Sequence, residues 1–368
     1  MGATEDAITS VERCTRKGRT VAEETAAAAG VDQDNVTRWL AERVDQLDPP
    51  LQFERPSVGR SNLTYVVTDA AGRRWVLRRP PLSGRLPSAH DMGREFRIIT
   101  ALGASGYRVP STIGFCDDET ITGAEFYVTD YVDGFTVELA EDAERYLPLE
   151  AREPVSMQLM DTLAELHEFD VHDVGLGDLG RHDGYIERQL RRWHLQWQSA
   201  KTRELPSAEE AHEILAATVP AAQRVSVVHG DYRIDNVRVD AEGNVLAVLD
   251  WELCTLGDPL ADLGTVLSAW QEPDDPPAPF QPSPSRVAGF PGRAALVDRY
   301  AQSSGLDVER VDFYIAFSTW KLAMIMEGVY TRYAGGAYGE VDPATEQLFA
   351  AQAISLAGAA LEKLRDSR

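Results

Sequence analysis

The chain has 368 residues, of which 43% are hydrophobic, so it can bury a sizeable core, and its length predicts two lobes or domains. Acidic residues number 59 and basic residues 36, and the resulting net charge of −23 argues against nucleic acids and anionic membrane surfaces as partners. The three cysteines are widely spaced, which predicts a reducing cytoplasm and no zinc site. No apolar run approaches the roughly 18 residues that span a membrane, and the acidic start of the chain lacks a signal-peptide pattern. The sequence therefore predicts a cytoplasmic protein.

The first 132 residues predict a helical extension followed by a small sheet. Apolar residues from Val36 to Leu47 recur at helical spacing, and Pro49 follows them as a terminator. From residue 50 the predicted order is strand, strand, strand, helix, strand, strand. The clearest signals are strands at Leu63–Thr68, Trp75–Arg78, Ile113–Cys116 and Phe126–Val132, and a helix that starts near Ser88 and ends by Gly106. We therefore predict an extension over residues 1–49 and a nucleotide-binding lobe over residues 50–132.

Residues 133–368 predict a mainly helical lobe that carries the catalytic loop and the substrate site. Apolar residues recur at helical spacing in four stretches, Val155–Leu166, Ile186–Trp197, 308–333 and 344–365. A short apolar strand precedes His229, and a hairpin turns at Gly243. The segment 271–292 contains seven prolines, and because a loop of that length is usually functional, we expect it to border the acceptor site.

The strongest chemical signal is VVHGDYRIDNV at residues 227–237, followed by VLDWE at residues 248–252. Phosphoryl transfer needs a carboxylate that orients the attacking hydroxyl and oxygen ligands for Mg²⁺. Asp231 at the end of a strand, Asn236 five residues later and Asp250 after the next hairpin have the spacing that protein kinases use for these tasks. Each piece alone could be an ordinary turn or a strand-end cap, but their order and the apolar strand before each favour a kinase site.

The chain resembles the aminoglycoside phosphotransferase and choline kinase superfamily over residues 35–365. Four segments carry the resemblance, at residues 229–236, 249–252, 257–259 and 262–264. Glycine at position 230, where protein kinases carry arginine, is typical of the small-molecule branch. The resemblance implies an α+β, bilobal, protein-kinase-like fold with a small antiparallel-sheet N-lobe and a mostly helical C-lobe.

The same resemblance implies ATP and Mg²⁺ as cofactors and a small-molecule hydroxyl as the phosphate acceptor. It implies Asp231 as the catalytic base, with Arg233 as a second catalytic candidate, and Asn236 and Asp250 as metal ligands. Asp258 and Asp262 are expected to cap and brace the catalytic loop. We make no prediction of the oligomeric state.

A kinase site also needs a cation in the N-lobe that contacts the nucleotide phosphates and pairs with a glutamate on a helix. The strand Trp75–Arg78 has no lysine, so Arg78 takes the position of the kinase lysine, and Glu95 on the following helix is its expected partner. Arginine keeps the charge and can grip phosphate with two nitrogens, although its geometry differs from that of lysine. A surface strand residue is the alternative for Arg78.

Two backbone segments complete the predicted nucleotide site. The turn containing Gly59, Ser61 and Asn62 lacks the full glycine-rich pattern, but it resembles a segment of the family that covers the phosphates. The carbonyl of Asp130 and the N–H of Val132 would bind adenine if this segment is the inter-lobe hinge. The alternative for the second segment is an ordinary core strand that ends in a turn.

The identity of the acceptor is open from the sequence. The acidic composition slightly favours a cationic acceptor such as an aminoglycoside. The run Leu77–Pro81 resembles the kinase-like domains fused to some acyl-CoA dehydrogenases, which favours a hydroxyacyl-CoA. Two further alternatives concern the kind of protein. A nucleotide-binding pseudokinase with a regulatory role is one, and the complete set of catalytic carboxylates argues against it. A protein kinase is the other, and the glycine at position 230 and the lack of an Ala-Pro-Glu segment argue against it.

Overall fold

A computed structural model of the protein describes residues 28–56, 62–82, 91–275, 283–336 and 343–367. The chain divides into two compact units, the first ending at Asp133 and the second beginning at Gly134. In the ranges given above, no helix is long and apolar enough to cross a bilayer.

The first unit is built on a five-stranded antiparallel sheet with the strand order β1-β2-β3-β5-β4. Its strands are β1 (Gln52–Glu54), β2 (Leu63–Thr68), β3 (Arg74–Arg79), β4 (Thr112–Cys116) and β5 (Phe126–Asp130). The alternating apolar residues Tyr65 and Leu77 are paired across β2 and β3 and are buried on the same face. The predicted strand and helix order is confirmed for these residues.

Helices cover both faces of this sheet. They are α1 (Gln33–Ala41), α2 (Met92–Ala104) and the four-residue α3 (Glu119–Thr122), and an aspartate side chain caps the start of each. Trp39 of α1 packs edge-on against Phe126, with ring centroids 4.9 Å apart. Phe96 of α2 packs against Tyr127, on the opposite face of β5. The same alternation in β3 directs Arg78 toward α2.

The extent of α1 differs from the prediction. The helix ends at Ala41, although the apolar spacing continues through Val44 and Leu47. Both residues still pack against the core, which explains the pattern. Beyond the helix, Gln46 has a left-handed φ of 55°, and the Arg73 guanidinium binds the Gln46 carbonyl oxygen. Similarly, α2 begins at Met92 after the Asp91 cap, whereas the predicted start at Ser88 lies outside the described residues.

The second unit is mostly helical. Its helices are α4 (Ala140–Tyr146), α5 (Leu149–Glu168), α6 (Tyr185–Ala200), α7 (Pro206–Ala217), α8 (Leu260–Ala269), α9 (Arg293–Ser304), α10 (Val311–Ala334) and α11 (Pro343–Asp366). α10 lies at the centre and contacts α6, α7, α8 and α11. The sequence did not predict α4, α7, α8 or α9, which are at most 12 residues long and therefore show few repeats of a helical pattern.

Two short strand pairs in the second unit position the candidate site. The strands are β6 (Ser226–Val228), β7 (Val237–Val239), β8 (Val245–Val248) and β9 (Thr255–Gly257). β6 pairs with β9 and β7 pairs with β8, both antiparallel. The segment that follows β6, residues 229–236, is called the catalytic loop below, and Asp250 lies just beyond the end of β8.

Candidate active site

The catalytic loop is fastened to α8 by a single buried carboxylate. The backbone N–H of His229 donates to Asp262 Oδ2 at 2.6 Å, and the N–H of Gly230 donates to Oδ1 at 2.9 Å. His167 Nε2 lies 3.3 Å from Oδ2. Burial alone would raise the pKa of the Asp262 carboxyl, but the hydrogen bond and the charge of His167 hold that pKa below its usual value. Asp262 therefore stays an acceptor for both N–H groups, as expected for a bracing residue.

Glycine is required at position 230 for two reasons. Its φ of 88° lies in the left-handed region, which side-chain-bearing residues rarely adopt. A Cβ atom there would also approach the carbonyl oxygen of Leu253 to 2.7 Å. The loop can thus follow β6 closely and turn sharply only because this residue has no side chain.

His229 connects the catalytic loop to the end of β8. Its Nε2 lies 2.8 Å from the carbonyl oxygen of Leu249, and its ring packs on Trp251 with centroids 4.7 Å apart. Because a carbonyl oxygen can only accept, Nε2 carries the proton and Nδ1 is left to accept from the N–H of Asp231, at 3.3 Å. His229 therefore acts as a neutral structural link in the fold.

Both oxygens of the Asp231 carboxylate have partners within the loop. Asn236 Nδ2 donates to Asp231 Oδ2 at 3.1 Å and to the Asp231 carbonyl oxygen at 2.8 Å. Arg233 Nε lies 3.2 Å from Asp231 Oδ1, and its Nη2 lies 2.9 Å from Asp235. Burial would lower the pKa of Arg233, but the neighbouring carboxylates, Asp231 first, raise it. The carboxylate of Asp231 is thus held in one orientation.

Asp250 has an unusual backbone conformation. Its φ of 63° and ψ of 65° are left-handed, which is rare for a residue other than glycine and is concentrated at functional sites. The N–H of Leu249 donates to the Asn236 carbonyl oxygen at 2.8 Å, so this hydrogen bond joins the segments that carry Asn236 and Asp250. No sequence signal indicated this conformation.

The side-chain oxygens of Asn236 and Asp250 suit a magnesium ion that also binds phosphate better than a metal held by protein ligands alone. Across the parts of the chain that the structure describes, no group of three or more His, Cys, Asp and Glu side chains is arranged to hold a metal. Asn236 directs its Nδ2 to Asp231, which leaves its Oδ1 as an oxygen donor, and Asp250 supplies a carboxylate. Mg²⁺ is commonly held by one or two such groups, with phosphate oxygens and water as the remaining ligands.

In the first unit, the structure brings Arg78 and Glu95 together. Arg78 Nε lies 3.3 Å from Glu95 Oε2, and the two side chains are only 14% and 3% exposed. The neighbouring Arg79 points to the other face of the sheet, where its Nη1 donates to the carbonyl oxygen of Thr122 at 3.0 Å. Arg78 is therefore a half-buried strand residue in an ion pair, unlike the surface residue considered above.

The structure describes some of the remaining residues that were predicted to bind the nucleotide. Asn62 is buried just before β2, whereas Gly59 and Ser61 lie outside the described residues. β5 ends at Asp130, two residues before the predicted end, and the N–H of Tyr131 donates to the Arg74 carbonyl oxygen at 3.2 Å. Burial raises the pKa of the Asp130 carboxyl. The binding of adenine by Asp130 and Val132 stays a prediction.

Sequence reasoning missed Lys321, which approaches the site from α10. Its Nζ donates to the Gly230 carbonyl oxygen at 3.2 Å. Burial lowers the pKa of Lys321, and the charge of Arg192 on α6 acts in the same direction. A lysine within an apolar helix carries no motif, so only the fold reveals its position. The flanks of the proline-rich segment are described, but residues 276–282 are not, so its predicted place beside the acceptor stays untested.

Comparison with known proteins gives the family. Residues 52–314 match the model of a family described as the phosphotransferase enzyme family. The chain belongs to this family. That match contains the whole catalytic loop, Asp250 and the Arg78–Glu95 pair.

Relatives of this chain include much longer proteins. Acyl-CoA dehydrogenase family member 10 of Mus musculus is 36% identical over 290 residues, which cover 78% of this chain and 27% of the relative. Acyl-CoA dehydrogenase family member 11 of Gallus gallus is 34% identical over 316 residues, which cover 83% of this chain and 40% of the relative. The chain thus spans between about a quarter and two-fifths of the length of these relatives.

Solved structures confirm the predicted kinase-like fold. A candidate aminoglycoside phosphotransferase from Ralstonia eutropha has a TM-score of 0.75 and 28% identity, covering 91% of this chain and 98% of that one. An aminoglycoside phosphotransferase solved with ADP and hygromycin B has a TM-score of 0.57 and 16% identity, covering 89% and 98%. The second likeness shows the fold alone.

Proposed function

We propose that this protein transfers the γ-phosphate of ATP to a hydroxyl group of a small molecule. The observation that carries the proposal is the hydrogen-bonded set of Asp231, Asn236 and the segment of Asp250, within a chain of the phosphotransferase family. The nucleotide seen in the ADP complex of a protein with this fold supports ATP as the donor. Because the proposed catalytic carboxylates are all present, a phosphotransferase is favoured over a pseudokinase.

In the proposed reaction, Asp231 orients the acceptor hydroxyl and accepts its proton. The hydroxyl oxygen forms a bond to the γ-phosphorus, and the bond from that phosphorus to the bridging oxygen breaks, so that ADP leaves. Arg233 and Asn236 hold the two oxygens of the base, which limits its motion. Asn236 Oδ1 and the Asp250 carboxylate would hold Mg²⁺, which neutralises phosphate charge when bound.

Arg78 is proposed to contact the phosphates, with Glu95 fixing its orientation. We expect Arg78→Ala to lower transfer by about ten- to a hundredfold, the usual value of one hydrogen bond to a charged group. Arg78→Lys should keep more activity, because it retains the charge but loses the planar fork. Turnover with ATP as the varied substrate measures both effects. Arg74→Ala, an exposed change on the same strand, is the control, and an Arg78→Ala enzyme with wild-type kinetics would exclude the role.

A hydroxyacyl-CoA is a second candidate acceptor, favoured by the relatedness to acyl-CoA dehydrogenase family members. The cations Lys321 and Arg192 lie near the catalytic loop. Carboxylates act on the same loop, namely Asp235, Asp250 and Glu138. The local charge is therefore mixed, and the preference for a hydroxyacyl-CoA over the aminoglycoside that composition slightly favours rests on the relatives alone.

A panel of acceptors tests this preference. We expect ATP consumption and a phosphorylated product, detected by mass spectrometry, with hydroxyacyl-CoA thioesters and not with kanamycin-type compounds. The free hydroxy acids are the matched control, because they keep the hydroxyl but lack the phosphates of CoA. Phosphorylation of kanamycin alone would refute the anionic acceptor, and no turnover with any hydroxylated compound would refute the phosphotransferase proposal.

A further inference from the structure

Lys321 is a lysine in a place that favours apolar residues. It follows Trp320, which is fully buried, and α10 is the central helix of the second unit. Burial lowers the pKa of Lys321, whereas the nearby carboxylates Asp231 and Asp262 raise it. Taking part of an ammonium group out of water is costly unless it is hydrogen-bonded, so the hydrogen bond of this half-buried lysine indicates what its charge holds in place.

The hydrogen bond of Lys321 falls on the peptide that leads into Asp231. The carbonyl of this peptide belongs to Gly230 and accepts from Lys321 Nζ at 3.2 Å. Its N–H belongs to Asp231 and donates to His229 Nδ1 at 3.3 Å. The preceding peptide is held as well, because the N–H of Gly230 donates to Asp262 Oδ1. Both polar groups of the Gly230–Asp231 peptide are therefore bound, and its plane is fixed.

Without Lys321, this peptide would lose the hydrogen bond that restrains its carbonyl, which belongs to a glycine, the residue with the greatest backbone freedom. Rotation of the peptide plane changes the direction in which the Asp231 side chain leaves the backbone. Arg233 and Asn236 contact the carboxylate itself, but both belong to the same loop and would move with it. Lys321 is anchored on a separate, buried helix, so it can serve as a fixed reference point.

We propose that Lys321 is a positioning residue that orients Asp231 through the carbonyl of Gly230. The proposal rests on the proposed function only in taking Asp231 as the base. In this role Lys321 acts on the rate of transfer and leaves nucleotide binding unchanged, because its hydrogen bond falls on the peptide before the base.

Three variants of the full chain test the proposal. Lys321→Met removes the donor but keeps the shape, Lys321→Arg restores a donor, and Lys363→Met removes another lysine that reaches α10, through Asp312. Amide hydrogen exchange of peptides spanning residues 226–236 reports the loop directly, and kcat with ATP and the best acceptor of the panel reports its effect. Calorimetry with MgATP and thermal unfolding are measured alongside.

For Lys321→Met we expect faster exchange of the loop amides and a kcat about a hundredfold lower, the loss typical of a reacting group displaced by about 1 Å. MgATP affinity should change less than about twofold, and Lys321→Arg should recover part of kcat. Lys363→Met should alter neither. Unchanged exchange in Lys321→Met would overturn the proposal, as would a lower melting temperature with normal kcat. If the wild-type chain phosphorylates nothing, the proposed function fails, while the exchange measurement still decides whether Lys321 orders the loop.

Discussion

Asp231→Asn is expected to lower phosphoryl transfer by about 10²- to 10⁴-fold, the range for loss of a general base. Asparagine has nearly the same shape, and its one amide oxygen can still accept from either Asn236 or Arg233, while Asp262 continues to hold the loop backbone, so the loop should stay folded. The amide cannot accept the hydroxyl proton, however, and this loss affects the transition state more than the bound nucleotide. The measurement is turnover with an acceptor from the panel, together with MgATP affinity by calorimetry, which should stay within severalfold of wild type.

Asp235→Asn is the matched control for this experiment. It changes a carboxylate of the same loop, and it also removes a partner of Arg233. If charge around Arg233 were the important factor, both variants would lose similar activity. We expect Asp235→Asn to retain most of it. Near-wild-type turnover in Asp231→Asn would remove Asp231 from the role of base.

Asp250→Ala is expected to abolish magnesium-dependent nucleotide binding. Asn236 and Asp250 are the two proposed protein ligands, and only Asp250 carries a charge, so its removal leaves one neutral oxygen for a hard divalent cation. Calorimetric titration of ATP with Mg²⁺ and with EDTA measures the effect. The wild-type chain should bind more tightly with Mg²⁺, and the variant should show the same weak binding in both.

Two further variants separate the ligand role of Asp250 from its backbone role. Asp250 is left-handed, and alanine tolerates that conformation poorly, so Asp250→Ala also adds strain. Asparagine tolerates it better, and Asp250→Asn therefore tests the charge alone. Glu242→Ala changes an exposed carboxylate in the turn that precedes β8, so it controls for local charge. Full MgATP affinity in both Asp250 variants would show that the metal is held elsewhere.

The sequence predicted the features that depend on local pattern. Alternating apolar residues gave the strands of the first unit, and the spacing of Asp231, Asn236 and Asp250 gave the candidate site together with the family. Arg78 could be chosen over Arg79 because it takes the lysine position in the kinase pattern, and the strand alternation directs it to the face of Glu95.

Features that depend on distant contacts could not be read in this way. The chain that follows α1 is held by Arg73, which lies more than 25 residues further along the chain and binds the carbonyls of Asp45 and Gln46. Lys321 reaches the catalytic loop from a helix about 90 residues away in sequence. In each case the missing information is which segments are neighbours in space.

The crowding at Gly230 also limits which amino-acid substitutions this loop can accept during evolution. Protein kinases carry arginine at the equivalent place, before their catalytic aspartate. Here any side chain would meet the backbone oxygen of Leu253, and a backbone atom cannot move aside as a flexible side chain can. A single substitution at position 230 therefore cannot convert this loop into the protein-kinase form. The segment 250–254, which carries the proposed metal ligand Asp250, would have to shift at the same time, so the two loop types are separated by a step that requires several coordinated mutations.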